Sequence, residues 1–276
     1  FSFFQSAELT ELEISESPLE AAHAPVLARS LKPLACRVRS LCLQQASLAG
    51  ESLLCLVIAL KSNNSVRELR LGDNGLTQYD AVQLGSLLRY NTRLQLLDLS
   101  NNQIQIIFLS FQNTSKSLCV LNVGRNALGS EGVKTLTMSG GGALVSLGLQ
   151  AARLSLDAAK CIAELIQSNS KLQRLDLRDN RLGVAGLQAI CNAVKDNQTL
   201  TQIDLDDPPV RKNVCVLMYT RYKLYLFSEI IFFEHFRGTL SVLDPTSQHP
   251  NAPLNTQSEL ICVPCTHCQK SRWRLR

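Results

Sequence analysis

Residues 172–182 read LQRLDLRDNRL, and two clear copies of this pattern read LQLLDLSNNQI at 94–104 and VRELRLGDNGL at 66–76. Apolar and polar residues alternate through the centre of each copy, and this period of two predicts a short strand with one buried face. Eight copies begin at Leu9, Val38, Val66, Leu94, Leu118, Leu144, Leu172 and Leu200. The intervals between them are 29, 28, 28, 24, 26, 28 and 28 residues, which predicts a repeat array.

The segments between the copies have the period of an α-helix. Leu187, Ile190, Cys191 and Val194 are spaced i, i+3, i+4, i+7, and residues 158–165 show the same spacing. One apolar stripe predicts a helix that packs on one side only. A single strand and helix cannot enclose a core, so neighbouring units must stack. The sequence therefore predicts an α/β solenoid, a horseshoe with an inner parallel sheet and outer helices, over residues 1–210.

Four asparagines follow the strands of their copies: Asn74, Asn102, Asn126 and Asn180. A side-chain amide at this turn can bond backbone groups that the sheet leaves unsatisfied. We therefore interpret these residues as structural. Ala46, Ala152 and Pro208 stand at the same position of three other copies, where looser packing is expected.

The net charge of +5 is unevenly distributed along the chain. Residues 1–210 hold 19 Lys plus Arg against 19 Asp plus Glu, and residues 211–276 hold 9 against 4. A neutral repeat array argues against a nucleic-acid partner. The tail at 211–276 lacks the repeat pattern and is predicted to be disordered or aberrant.

The composition of the chain also indicates the cellular compartment of the protein. Cysteines in the repeats lie mostly within apolar stripes and have no paired spacing, as in reduced intracellular proteins. No secretory signal and no uncharged apolar stretch of about 18 residues is present, so neither secretion nor a membrane partner is indicated. We expect an intracellular protein, cytoplasmic or also nuclear. Because the first residue is Phe1, the chain is expected to be a fragment.

Charged residues flank the buried leucines and are expected on the concave face of the solenoid. The acidic ones are Glu11, Glu13, Glu16, Glu68, Asp73, Asp98, Asp176, Asp179, Asp204, Asp206 and Asp207; the basic ones are Arg70, Arg125, Arg174 and Arg178. Such an acidic surface would attract a basic partner. Alternatively, the charges pair across neighbouring strands and contribute little. The candidate binding residues are the twelve of these that follow Glu16 in the sequence: Glu68, Arg70, Asp73, Asp98, Arg125, Arg174, Asp176, Arg178, Asp179, Asp204, Asp206 and Asp207.

Catalytic signatures are scarce in this sequence. Of the four histidines only His23 lies in the repeats, so no Ser/His/Asp or Cys/His set can be assembled there. No GxxxxGK[ST] loop is present. The run CVPCTHC at 262–268 has CxxC spacing, but its candidate ligands crowd into seven residues, unlike a structural zinc site. We predict no enzyme, no small-molecule substrate, no metal and no cofactor.

The repeats and the segments between them resemble known proteins. The 28-residue period resembles the ribonuclease-inhibitor class of leucine-rich repeats. Over roughly 18–213, including LQQASLAGESLLCLVIALKSNNSVRELRLGDNGL and LQRLDLRDNRLGVAGLQAI, the chain resembles the protein phosphatase 1 regulatory subunit 37 family. This resemblance implies a leucine-rich repeat solenoid that binds and inhibits the catalytic subunit of protein phosphatase 1.

The same resemblance implies a docking segment of the RVxF type ahead of the repeats. RVRSL at 37–41 lacks the aromatic residue and KLYLF at 223–227 lacks Val or Ile, so this segment is expected to precede Phe1. Two other hypotheses stay open. One is an adaptor for an unrelated protein, and the other is a GTPase-activating protein that uses an exposed arginine such as Arg70, Arg125 or Arg178.

Overall fold

A computed structural model describes residues 9–32, 36–105, 117–137 and 142–206, and the strands at 216–220 and 223–227. Eight short strands lie in the first four ranges: β1 Glu11–Glu13, β2 Ser40–Cys42, β3 Glu68–Arg70, β4 Leu96–Asp98, β5 Val120–Asn122, β6 Ser146–Gly148, β7 Arg174–Asp176 and β8 Gln202–Asp204. They form one sheet in chain order, and each pairs parallel with the next. The predicted parallel sheet is confirmed.

Six helices alternate with these strands: α1 His23–Leu31, α2 Glu51–Lys61, α3 Gln78–Tyr90, α4 Gly129–Thr137, α5 Leu156–Ser168 and α6 Gly183–Asp196. Each of these helices packs against the helix before or after it in the chain. Among the described residues there is no helix between β4 and β5. Residues 106–116 of that short 24-residue step lie outside the described residues. The α/β solenoid predicted from the repeat period is confirmed over residues 9–206.

The core consists of one leucine or isoleucine from the centre of each strand and the apolar stripe of each helix. Leu41, Leu69, Leu97 and Leu121 are fully buried, and the register places each of them beside the next. The predicted stripe of α5 is also inside, since Ala158, Ile162 and Leu165 are buried. The core therefore runs unbroken along the array, as stacked repeats require.

A ladder of asparagines, three of them buried and Asn180 half-buried, links the turns that follow the strands. Asn74 Oδ1 accepts hydrogen bonds from the backbone amides of Ala46 and Leu48, at 3.0 and 2.9 Å. Its Nδ2 donates to the carbonyls of Leu43 and Gly72. Asn102, Asn126 and Asn180 repeat this pattern of bonds to the preceding repeat. The structural role predicted for the four asparagines is confirmed.

Backbone carbonyls replace the missing asparagine side chains at Ala46 and Ala152. Both alanines are fully buried. The carbonyl of Ala46 accepts the amide of Leu19 at 2.8 Å, and that of Ala152 accepts the amide of Gly129 at 3.0 Å. One backbone hydrogen bond therefore links the repeats at each alanine, and the expected looser packing at these positions stays a prediction.

The tail contributes one antiparallel pair of strands, β9 Val216–Thr220 and β10 Lys223–Phe227. The sequence there shows no strand periodicity, so this pair was not predicted. Chain contacts divide the molecule into a first unit, 1–233, and a second unit, 234–276, which lies outside the described residues. The boundary at residue 210 and the disordered tail stay predictions. Among the described residues, no helix has the length and apolar character needed to cross a membrane.

Candidate protein-binding face

The concave face is built from two rows of side chains, because the first and third residues of each strand share one side of the sheet. The strand register aligns these positions from β1 to β8. The first row is Glu11, Ser40, Glu68, Leu96, Val120, Ser146, Arg174 and Gln202. The third row is Glu13, Cys42, Arg70, Asp98, Asn122, Gly148, Asp176 and Asp204.

These two rows hold six carboxylates and two guanidinium groups. The carboxylates belong to Glu11, Glu13, Glu68, Asp98, Asp176 and Asp204, and the guanidinium groups belong to Arg70 and Arg174. All eight side chains lie on residues that are exposed or half-buried. The sheet surface is therefore acidic although residues 1–210 are neutral as a whole.

One ion pair lies at the β2–β3 part of the concave face. Arg70 Nη2 is 2.9 Å from Glu68 Oε2, and its Nη1 donates to Ser40 Oγ at 3.2 Å. The two charged side chains are 34% and 41% exposed, so water screens much of their attraction. The pair fixes the orientation of Arg70 more than it stabilises the fold.

A second ion pair lies at the other end of the face, where the chain leaves β7. Arg178 Nη2 is 2.6 Å from Asp176 Oδ2, and Arg178 Nε donates to Asp176 Oδ1 at 3.0 Å. The hydrogen bond with Asp176, and then its charge, raise the pKa of Arg178. Arg178 Nη2 also reaches Gln150 Oε1 of the preceding repeat at 3.3 Å. Arg178 therefore forms a two-point bond within its own repeat and a single hydrogen bond to the preceding repeat.

The predicted binding residues fall into three groups. On the strands lie Glu68, Arg70, Asp98, Arg174, Asp176 and Asp204; on the segments leaving the strands lie Asp73, Arg125, Arg178, Asp179 and Asp206; Asp207 lies outside the described residues. Asp73, Arg125 and Asp179 each have a positive φ of 54–59°. They therefore mark a tight turn at the edge of the face, not its floor. Whether these residues bind a partner stays a prediction.

A shallow hollow occupies the middle of the concave face, with a volume of about 320 Å³. Leu96 and Val120 contribute its apolar part, and Asp98, Asp176 and Asp204 lie on its acidic side. Gly148 keeps the floor low, since a Cβ atom there would meet Asn122 Oδ1 at 2.6 Å. The hollow combines a half-buried apolar surface with carboxylates, which suits contact with a protein segment.

The described residues offer little for catalysis. They contain no group of three or more His, Cys, Asp or Glu side chains placed to hold a metal ion. His23 is exposed at the start of α1. His235, His249, His267 and the cysteines of CVPCTHC lie outside the described residues. Cys36, Cys42, Cys55, Cys119 and Cys161 are free thiols.

Comparison with known proteins agrees with the repeat geometry. Two sequence profiles described as leucine-rich repeat match this chain, one at residues 114–136 and 168–191 and the other at 93–114. The matches at 114–136 and 168–191 contain β5 with most of α4 and β7 with most of α6, and the match at 93–114 contains β4. The fold is a leucine-rich repeat solenoid.

Similar curated proteins include regulators of protein phosphatase 1. A protein phosphatase 1 regulatory subunit 37 homolog of Caenorhabditis briggsae is 50% identical over 62 residues, which is 22% of this chain and 7% of that protein. Protein phosphatase 1 regulatory subunit 37 of Bos taurus is 33% identical over 141 residues, 48% of this chain and 20% of that protein. The resemblance to this family is confirmed, although the chain spans a small part of its relatives' length.

The repeat class also contains proteins with other names. NACHT, LRR and PYD domains-containing protein 3 of Homo sapiens is 32% identical over 184 residues, 63% of this chain and 18% of that protein. The array is thus a scaffold of a kind that recurs in several interaction proteins.

Sequence reasoning missed a second asparagine ladder, on the side where the chain enters the strands. Asn63, Asn91, Asn169 and Asn197 are buried between a helix end and the next strand. Asn91 Oδ1 accepts hydrogen bonds from the amides of Arg93 and Leu94. Its Nδ2 donates to the carbonyl of Leu60 at the end of α2, the helix of the preceding repeat. A signal was present in the sequence: SNNSV, YNTRL, SNSKL and DNQTL share an asparagine three residues before the repeat's first apolar position.

Proposed function

We propose that this array is a non-catalytic regulatory scaffold that binds the catalytic subunit of protein phosphatase 1 through its concave face and inhibits it. The similarity to protein phosphatase 1 regulatory subunit 37 over 48% of the chain is the observation that carries this proposal. The bound protein would be positioned by the array, while the chemistry stays in the phosphatase.

The charge of the concave face supports a protein partner with a basic surface. Asp98 and Asp204 lie in the third row on either side of Gly148, and their ion-pair partners are not found among the described residues. An uncompensated surface of one sign increases the association rate of an oppositely charged partner. The apolar surface of Leu96 and Val120 lies in the same hollow and would supply contact that persists at high salt.

The described arginines give the GTPase-activating alternative less support. Such a role requires an arginine that is free to reach a bound nucleotide. Arg70 is bonded to Glu68 and Ser40, and Arg178 is bonded to Asp176 and Gln150. Arg125, the third candidate, is exposed at a turn and is therefore the one to which this argument does not apply. The adaptor alternative has the similarity to NACHT, LRR and PYD domains-containing protein 3 in its favour.

The experiment is a titration of purified protein phosphatase 1 catalytic subunit with the full chain, measuring both binding and phosphatase activity. We expect saturable binding that inhibits the phosphatase and weakens as salt concentration rises. The double variant Asp98→Asn/Asp204→Asn should weaken binding by about tenfold.

The matched control is Asp157→Asn, because Asp157 lies on the outer helix α5 and its side chain is 77% exposed. This variant should bind like the wild type. If the wild-type chain does not bind the phosphatase, the phosphatase proposal fails and the hypothesis of an adaptor for an unrelated protein takes its place. If the two variants bind equally well, the concave face is not the contact.

As part of the same proposal, we place the protein inside the cell, in the cytoplasm or also in the nucleus. Support comes from five cysteines of the described repeats that form no disulfide, Cys36, Cys42, Cys55, Cys119 and Cys161. Fluorescence microscopy of the tagged full-length protein would test this placement. Retention in the secretory pathway would contradict it.

A further inference from the structure

A row of arginines follows the edge at which the chain enters strands β2, β3 and β4. Arg39 and Arg67 immediately precede β2 and β3. Arg37 lies three residues before the start of β2, and Arg93 lies three residues before the start of β4. We name these four residues the arginine rim. The positions that match Arg39 and Arg67 before β5–β8 are Cys119, Val145, Gln173 and Thr201, while Lys171 before β7 matches Arg37 and Arg93. An arginine directly before the strand is therefore found only at β2 and β3.

The backbone under the arginine rim is fixed by hydrogen bonds between repeats. The amide of Arg39 donates to the Thr10 carbonyl at 2.6 Å, and the amide of Arg67 donates to the Arg39 carbonyl at 2.7 Å. The amide of Gln95 donates in turn to the Arg67 carbonyl at 2.7 Å. Neighbouring strands lie about 4.8 Å apart, so Arg39 and Arg67 extend from a rigid edge at close spacing.

The charges of the arginine rim are not neutralised within the described part of the chain. No carboxylate among those residues lies within ion-pair distance of any of the four guanidinium groups. Arg67 Nη1 donates only weakly, to the carbonyls of Asn64 and Arg93 at 3.3 and 3.4 Å. The residues Arg37, Arg39 and Arg93 are exposed.

The arginine rim borders a concavity of about 630 Å³. Arg39 and Arg67 line it together with Ser40 and Gln95, which add neutral hydrogen-bonding groups, and with the carboxylates of Glu11 and Glu68. The site therefore has cationic and polar groups at separate points instead of a uniform positive charge.

We propose that the arginine rim binds an acidic peptide segment in extended conformation. An extended peptide projects alternate side chains about 7 Å apart, and carboxylates at that spacing can meet Arg39 and Arg67 while its amides meet Ser40 and Gln95. The carboxylates of Glu11 and Glu68 disfavour the continuous phosphate backbone of a nucleic acid. A peptide avoids this repulsion by placing neutral residues opposite them.

This proposal is independent of the phosphatase proposal. It concerns basic residues at the edge where the chain enters the strands, whereas the phosphatase proposal concerns acidic residues of the concave face. The probe is a fluorescein-labelled peptide of alternating glutamate and serine, whose anisotropy is measured with the full chain at several salt concentrations. The double variant Arg39→Gln/Arg67→Gln should bind this probe about tenfold more weakly, as expected for the loss of two exposed ion pairs. The dependence of binding on salt should also become shallower.

The matched control is Arg153→Gln/Arg181→Gln, which removes two exposed arginines from the opposite edge, where the chain leaves the strands. It also keeps the basic tail at 211–276 intact, so binding by that tail would be unaffected in both variants. Loss of binding in the arginine-rim variant alone supports the proposal. The proposal is overturned if the wild-type chain does not bind the probe. It is also overturned if both variants bind the probe equally well, or if the arginine-rim variant binds it as the wild type does.

Discussion

Asn102 Oδ1 accepts a hydrogen bond from the backbone amide of Asn74, 28 residues earlier, at 3.1 Å. Asn74 and Asn102, two consecutive members of the turn ladder, are thus bonded directly to one another. Asn102 also accepts the amide of Leu76 and donates to the carbonyls of Leu71 and Leu99. Because these groups are buried, the ladder satisfies backbone atoms that neither sheet nor water can reach.

Replacing Asn102 by alanine should therefore destabilise the array strongly. We expect the free energy of unfolding to fall by about 3 kcal/mol, because buried amides and carbonyls of two repeats lose their partners. Gln103→Ala removes an amide from an exposed neighbouring side chain and should change stability by less than about 0.5 kcal/mol. Urea unfolding followed by circular dichroism measures both. Equal midpoints for the two variants would refute the role assigned to Asn102.

The second asparagine ladder can be tested with two adjacent asparagines. Asn63 is buried, accepts the amides of Ser65 and Val66, and donates to the Leu31 carbonyl at 2.7 Å. Asn64 is exposed. Asn63→Ala should lower the free energy of unfolding by about 2 kcal/mol, whereas Asn64→Ala should leave it nearly unchanged. Thermal unfolding of both variants gives the comparison, and similar melting temperatures would contradict it.

A buried carboxylate links helix α3 to the preceding repeat. Asp80 is 1% exposed; its Oδ1 accepts the amide of Gly50 at 2.8 Å, and its Oδ2 accepts the amide and hydroxyl of Thr77 at 2.8 and 2.9 Å. Asp80→Ala should lower the free energy of unfolding by about 2–3 kcal/mol, because it removes a capping box and a bond between repeats.

The control for Asp80 is Asp157→Ala, since Asp157 also lies in a first helical turn but is largely exposed. This change should cost at most about 0.5 kcal/mol. Chemical unfolding of both variants separates capping within one helix from bonding between repeats. A cost for Asp80→Ala no larger than that of the control would show that the Gly50 bond contributes nothing.

The thiol of Cys161 should titrate above the ordinary cysteine range. Burial, and then the charge of Glu164, raise its pKa above 9.0. The folded chain therefore binds this proton more tightly than the unfolded chain, and the resulting stabilisation is present below pH 9 and lost as pH rises through the folded pKa. Alkylation by iodoacetamide, followed by peptide mass spectrometry, should reach its half-maximal rate at a higher pH in folded than in unfolded protein. An equal or lower midpoint would contradict the raised pKa.

The sequence predicted those parts of the fold that depend on local patterns. Alternation at LQRLDLRDNRL indicated strand β7, and the spacing of Leu187 to Val194 indicated helix α6, because a buried side needs apolar residues at the period of its element. The start of α5 was less accurate. The apolar spacing starts at Ala158, but the helix begins at Leu156 after Ser155. Ser155 and Asp157 are both polar residues that can occupy a helix start, so pattern alone does not fix the boundary.

The binding face was predictable in composition but not in arrangement. Alternation placed Asp98, Asp176 and Asp204 on one side of the sheet, as the strand register shows. The pairing of Arg178 with Asp176 and the low floor at Gly148 depend on side-chain conformations and on neighbouring repeats. The arginine rim was not predicted, because its members become neighbours only when repeats stack in register.

Carboxyl footprinting of the complex with protein phosphatase 1 catalytic subunit tests the binding face most directly. Carbodiimide-activated labelling with glycine ethyl ester, read by mass spectrometry, reports the accessibility of each carboxylate. We predict that bound phosphatase protects Asp98 and Asp204 on the concave face and leaves Asp157 and Glu164 on helix α5 as reactive as in the free chain. Protection of Asp157 and Glu164 with unchanged labelling of Asp98 and Asp204 would contradict the account.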